Sequence, residues 1–329
     1  MSNRAGNTPT LEDIYAPVRD DLAVVEARFR AVGNVADPAL AELLGYALRG
    51  GGKRIRPTLA LLSARLYEYD LERLMPAVLA VEMMHLATLV HDDTIDDSAL
   101  RWGRATVNKL WGMDQAVLLG DYLFAQAGGL MAATDNLRLI KLFSETLMII
   151  SAGEIAQARS SFSLNQTRQQ YFRRIFSKTA SLFRLATISG AVMANAPEAG
   201  ITCLGDYGRD LGVEFQIVDD ILDFVGSEEE MGKPVGADLT QGTLTLPAML
   251  LHERNPEDNP VKRLFEGRGG QEHVAEAIRQ VRDSSIIEEC LEVARQYRDR
   301  ACHHLEDLPD GDARRSLCYL ADFILSRRR

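Results

Sequence analysis

The sequence predicts an all-α protein, and three observations carry that prediction. Apolar residues recur at three- and four-residue spacing through nearly every segment, the period of helices with one buried face. Alternating β-branched runs of the kind that mark strands are almost absent. Gly and Pro fall at joints, as at Gly50-Gly51-Gly52, Ala196-Pro197 and Asn255-Pro256, rather than inside the periodic segments.

From the N-terminus, residues 1–10 are polar, lack the apolar core of a signal peptide and read as a disordered lead-in. Helical period then covers 10–32, 38–49, 56–69 and 75–92. It resumes over 115–133, 137–160, 167–195, 200–225, 245–253 and 272–308. The longest apolar stretch, 74–90, is interrupted by Pro76, Glu82 and His85. It falls short of the roughly 20 apolar residues of a span, so it reads as a buried helix and no integral membrane segment is expected. With no internal repeat and no linker-like shift in composition, 11–329 reads as a single domain.

At 329 residues, 46% hydrophobic and 26% charged, the chain has the composition of a globular protein with a sizeable core. A net charge of −10 argues against nucleic acid or an anionic membrane as the bulk partner. Cys203, Cys290, Cys302 and Cys318 show no CxxC spacing and read as reduced thiols of a cytoplasmic protein.

Two aspartate clusters carry the chemistry: His91-Asp92-Asp93-Thr94-Ile95-Asp96-Asp97 and Asp219-Asp220-Ile221-Leu222-Asp223. Each closes a long apolar helical run, and each sets two carboxylates four residues apart on one helix face. Like charges at that spacing cost the helix stability, so a cation should offset them. Oxygen-only donors point to Mg2+ shared with substrate phosphates. Two such pairs, more than 120 positions apart, look built to hold one polyphosphate between two helices.

Two loops add anion-binding character. Gly50-Gly51-Gly52-Lys53-Arg54-Ile55-Arg56-Pro57 places three glycines before three cations and a helix start. It is not a Walker motif, and a helix cap with a solvated basic turn is the alternative reading. Residues 226–242, rich in Gly and containing Glu228-Glu229-Glu230 and Lys233, read as a mobile lid. Arg101 and Arg104 can reach back over the first cluster. Lys178-Thr179 interrupts an apolar helix, where the ammonium needs an anion, supplied by a ligand or by a neighbouring Asp or Glu. His85 lies two turns before Asp92; a lone histidine there is functional or a satisfied core residue.

Taken in order, GGGKRIRP, EMMHLATLVHDDTIDD with Arg101, GDYLFAQA, SKTASLF, FQIVDDILDF and GKPVGADLTQGTLTLP resemble the trans-polyprenyl diphosphate synthase family. The resemblance runs from about Gly50 to Pro247. It implies an isoprenoid synthase type of fold, an orthogonal bundle of ten or more helices around a central cavity, and usually a homodimer. The implied reaction is head-to-tail addition of isopentenyl diphosphate to an allylic diphosphate. Two or three Mg2+ ions would bridge the allylic diphosphate to Asp92, Asp96 and Asp219, with Asp223 completing the second site and Asp93 a weaker ligand. Arg101, Lys178 and Lys233 would neutralise the departing diphosphate, with Thr179 and Gln216 as hydrogen-bond donors. Lys53, Arg56 and His85 would hold isopentenyl diphosphate. The basic end Arg327-Arg328-Arg329 resembles tails that close over the site in relatives; an exposed, frayed end is the other reading.

One departure stands out. Relatives usually carry Arg-Arg-Gly after the first motif, and this chain reads Arg101-Trp102-Gly103. Trp102 cannot supply the missing charge, and Arg104 is the residue that could compensate. The growing tail should run down the helix before Asp92, past Thr88, Ala87 and Met84. Thr88 and Ala87 are small where short-chain relatives carry aromatics, which implies products of C20 or longer. Three rivals remain in view. A class I terpene cyclase would ionise the same substrates, and one subunit of a heteromeric synthase would need a partner. A di-iron bundle is disfavoured because Glu82-Met83-Met84-His85 is a single ExxH.

Overall fold

The structure, a computed structural model, describes residues 9–226, 235–267 and 270–327. Residues 227–234 of the expected lid, Lys233 among them, lie outside the described residues, as do 1–8, 268–269 and the last two arginines.

The expected helices form. α1 (Leu11–Tyr15) and α2 (Arg19–Ala31) are joined by one 3-10 turn at Pro17, and α3 (Pro38–Leu48) and α4 (Ile55–Ala64) follow. α5 (Leu71–Ile95) starts earlier than its apolar period, because the Asp70 carboxylate accepts the Arg73 N–H 3.2 Å away and caps the helix ahead of Pro76. α5 is long and apolar enough to cross a membrane, but 72% of its most apolar window is buried inside the bundle. It is a core helix.

A two-stranded hairpin, β1 (Leu100–Arg101) and β2 (Arg104–Ala105), turns at Trp102-Gly103. α6 (Val107–Trp111), α7 (Met113–Ala132) and α8 (Leu137–Arg159) come next. α9 (Arg168–Ile175) runs into α10 (Ser181–Met193) through one π-helical turn at Phe176–Ala180, and α11 (Glu198–Val225) is the longest helix described. α12 (Ala237–Thr240), α13 (Leu246–Arg254) and α14 (Pro260–Phe265) lead to α15 (Gln271–Arg282), α16 (Ile286–His303) and α17 (Asp312–Ser326).

Beyond the hairpin and the short helices α6 and α14, which the periodicity did not mark, two features differ from the sequence reading. The single run expected over 272–308 is broken at Asp283-Ser284-Ser285, where the Ser284 hydroxyl accepts the Ile286 N–H and competes with the helical ladder. α17 was not expected at all; its Ala313, Leu317, Leu320, Ala321 and Ile324 are nonetheless buried in the core.

α5 packs along α7, α10 lies between α4 and α11, and α16 covers α11. These packings are close. A Cβ on Gly120 of α7 would lie 2.1 Å from the His91 ring, and one on Gly212 of α11 would lie 2.5 Å from Cα of Ala180. The second approach sets α11 directly against the π turn. All four cysteines are free thiols.

Candidate active site

The first aspartate cluster forms the C-terminal end of α5. The backbone's last carbonyls and the carboxylates of Asp92, Asp93 and Asp96 concentrate negative charge there. Burial raises the Asp92 carboxyl above its ordinary range, with Asp96 adding to the effect and Lys178 opposing it. Burial likewise raises Asp96, and Glu154 and Asp238 push the same way.

Within the cluster the roles separate. Arg101, held on β1, aims its Nε at both oxygens of Asp93, 2.8 Å from each, and its Nη2 lies 2.7 Å from Oδ1. Asp93 is thus an anchor for the hairpin. Asp92 is half-buried and Asp96 exposed.

Lys178 sits in the π turn, an irregularity that lets a side chain break the helical pattern at a functional position. Its ammonium lies 3.1 Å from Glu154 and 3.9 Å from Asp92. Burial alone would lower its pKa; Asp92, Glu154 and Asp96 together reverse that and raise it. The anion that the sequence demanded for Lys178 is therefore partly supplied by Glu154 on α8. No motif marked Glu154.

The neighbouring Thr179 donates to Gln216 at 2.6 Å, and Gln216 donates to Asp220 at 2.8 Å. Tyr171 donates to the other Asp220 oxygen at 2.8 Å. Asp220 is buried and raised to about 7, chiefly by burial, so this chain of bonds is a brace behind the second cluster. The Asp223 carboxylate, fully buried, accepts the Asp238 N–H at 3.2 Å, and its carbonyl accepts the Gly236 N–H at 2.8 Å. Asp219 is half-buried. Asp238 lies between the two clusters: its charge raises the Asp96 carboxyl, and its N–H donates to Asp223.

A cationic wall lies beside them. Burial lowers the Lys53 ammonium, Arg327 adds to the effect, and Asp219 opposes it. Arg327, at the end of α17, stacks 4.9 Å over the Phe215 ring on α11. Arg56 stacks 4.8 Å over Phe183, its Nε is buried without a hydrogen-bond partner among the described residues, and burial lowers it to about 10. His85 is held far below its usual range by burial and by Arg56, Arg101 and Arg54, so it is neutral. Arg54 does not belong to this wall's free charge, because it is paired with Glu26 at 2.8 Å and Glu82 at 2.6 Å. That pairing also removes Glu82 from the ExxH reading.

Arg104 does not take the place left by Trp102. Its guanidinium stacks 4.2 Å over the Tyr46 ring. Below the cluster, Ala87 and Met84 are fully buried, and the half-buried Thr88 donates its hydroxyl back to the His85 carbonyl at 2.7 Å.

The family whose sequence model is described as Polyprenyl synthetase matches residues 37–281. The chain belongs to the polyprenyl synthetase family. Among its relatives, heptaprenyl diphosphate synthase component 2 of Geobacillus stearothermophilus is 40% identical over 96% of this chain and 99% of that one. Octaprenyl diphosphate synthase of Escherichia coli (strain K12) is 35% identical over 97% and 99%. A crystal structure of polyprenyl synthase from Caulobacter crescentus CB15, complexed with calcium and isoprenyl diphosphate, superposes with a TM-score of 0.93. It covers 98% of this chain and 100% of its own, at 33% identity. The expected fold class and family are thereby shown.

As a polyprenyl synthetase, the chain offers a donor set suited to a hard divalent cation: carboxylate oxygens only, more negative than Lys178 balances, with pKa values raised by enclosure. Among the described residues, no group of three or more His, Cys, Asp or Glu is gathered to hold a metal ion alone. An ion held here would take its other ligands from a diphosphate.

Proposed function

We propose that this polyprenyl synthetase condenses isopentenyl diphosphate head-to-tail with an allylic diphosphate, extending it to C20 or longer. The observation that carries the reading is Lys178 set between Asp92 and Glu154, with the cations Lys53, Arg56 and Arg327 forming a separate wall. That wall supplies a second diphosphate site, which a one-substrate cyclase does not need.

Asp92, Asp96 and Asp219, with Asp223, would hold Mg2+, whose charge stabilises the diphosphate leaving group as the C–O bond breaks. Lys178 neutralises the same leaving group, and its π-turn position keeps it pre-aimed. Thr179 and Gln216 hold the second cluster in place; Arg101 steadies the first through Asp93. Lys53 and Arg56 bind the second diphosphate, and neutral His85 donates to it without adding charge. Lys233, outside the described residues, is assigned to the leaving group on its match to the family motif. The Caulobacter relative, crystallised with calcium and isoprenyl diphosphate, supports the divalent-cation reading.

Residues 11–329 act as one cytoplasmic, all-α domain in this reading. α7 and α8 pack together and leave Met113, Leu118, Met148 and Ile155 each at least 60% exposed, an apolar surface suited to a second subunit. A homodimer is the assembly proposed. A heteromer is the second reading, because the Geobacillus relative is named a component.

The test is incubation of the pure chain with Mg2+, farnesyl diphosphate and labelled isopentenyl diphosphate. Label should enter an acid-labile allylic product, and a chelator should stop it. Allylic diphosphate consumed without label would mean a cyclase, and no turnover without a partner would favour the heteromer.

A further inference from the structure

Trp102 is the residue the reaction above leaves unexplained. It sits at the tip of the β1–β2 hairpin with φ 51°, a left-handed conformation that a bulky side chain rarely adopts. Gly103 follows at φ 72°, so two consecutive left-handed residues make the tight turn. Asn or Asp would make that turn with less strain. The indole reaches one target.

That target is the triple-glycine loop. A Cβ on Gly50 would lie 2.7 Å from Trp102 Cζ3 and 3.3 Å from Cε3. One on Gly51 would lie 3.8 Å from Trp102 Cβ, Cγ and Cδ2, and one on Gly52 4.0 Å from Cζ2. The ring therefore runs along three successive glycines, and any side chain at Gly50 would dislodge it. The hairpin beneath is fixed: Arg101 is clamped to Asp93, Tyr46 donates to the Ala105 carbonyl at 2.7 Å, and Thr106 donates to the Ser98 carbonyl at 2.7 Å. At the other end of the loop, the Tyr15 hydroxyl bonds the Lys53 carbonyl.

We propose that Trp102 is a positioning strut that fixes the Gly50–Lys53 loop against the first aspartate motif and thereby sets the isopentenyl diphosphate site. It touches no substrate and carries no charge. Its effect on the reaction passes through Lys53, so the proposal rests on the assignment of Lys53 to isopentenyl diphosphate.

Hydrogen exchange of the 51–53 amides, read alongside the KM of each substrate, tests it in wild type, W102A, W102F and G50A. W102A and G50A should speed exchange at those amides and raise the isopentenyl diphosphate KM, each about tenfold. The farnesyl diphosphate KM should stay within about twofold, and W102F should behave as wild type. Unchanged exchange in W102A overturns the strut, as does an equal rise in both KM values. A W102R variant that binds isopentenyl diphosphate more tightly than wild type also overturns it, since residue 102 would then be a missing charge. A wild type that incorporates no label sinks the reading of the site, and the exchange measurement still decides the strut.

Discussion

Arg101 grips Asp93 through both carboxylate oxygens, and that grip divides the first aspartate motif into one structural residue and two that lie near Lys178. Asp93 is buried against the hairpin, whereas Asp92 and Asp96 both act on Lys178. Asp92→Asn should therefore lower kcat by about 100- to 1,000-fold, the loss expected when one group stabilising the leaving charge is removed. Asp93→Asn should cost less in kcat and more in melting temperature. Single-turnover diphosphate release and thermal melts separate the two; equal kcat losses with equal melts would contradict the division.

Glu154 competes with Asp92 for the Lys178 ammonium. In Glu154→Gln the ammonium is left to Asp92, where it opposes a cation. The Mg2+ concentration for half-maximal activity should rise about fivefold, the scale of a partly exposed ion pair of ~1 kcal/mol. A Mg2+ titration at saturating substrates measures it, and a fall would show that Glu154 is itself a ligand.

His85 is held neutral by burial and the surrounding arginines, its pKa pushed far below 6.5. A depressed pKa means the unfolded chain binds the proton more readily, so stability present above about 6.5 is lost as pH falls below it. Wild type should lose melting temperature relative to His85→Asn between about pH 6.5 and 5. Over pH 8 to 6, roughly the range spanning an ordinary imidazole pKa, the ratio of their isopentenyl diphosphate KM values should be constant. A ratio that swings near 6.5 would show a titrating imidazole.

Met84 is a large, fully buried side chain one turn below the small Ala87. Ala87→Phe should shorten the products, and Met84→Ala should lengthen them by at least one five-carbon unit. Chromatographic sizing of dephosphorylated products checks both; unchanged products would place the wall on another helix.

Replacing Leu118 and Met148 with Glu should shift the chain to a monomer by light scattering if α7 and α8 form the subunit face. A wild type that is already monomeric would remove the homodimer.

Much of this was legible in the sequence because it is local. The four-residue spacing of Asp92 and Asp96 puts them on one face whatever surrounds them, and the apolar period of 75–92 required a buried helix above them. Lys178 in an apolar run demanded an anion, and one was found. What was hidden depends on distant packing. Glu154 became part of the site only when α8 met the π turn, and the pairing of Arg54 with Glu26 and Glu82 crosses 28 positions each way. α17 escaped because its buried stripe is interleaved with Arg314, Arg315, Asp322 and other polar residues. Arg104 looked able to stand in for a lost arginine by count along the chain, but the hairpin register sends it onto Tyr46.

The most direct test of the central claim is a time course of product length from farnesyl diphosphate and labelled isopentenyl diphosphate with Mg2+. The account predicts a ladder rising in five-carbon steps to one dominant product of C20 or longer. A reaction that stops at unlabelled, cyclised or hydrolysed farnesyl products would contradict it.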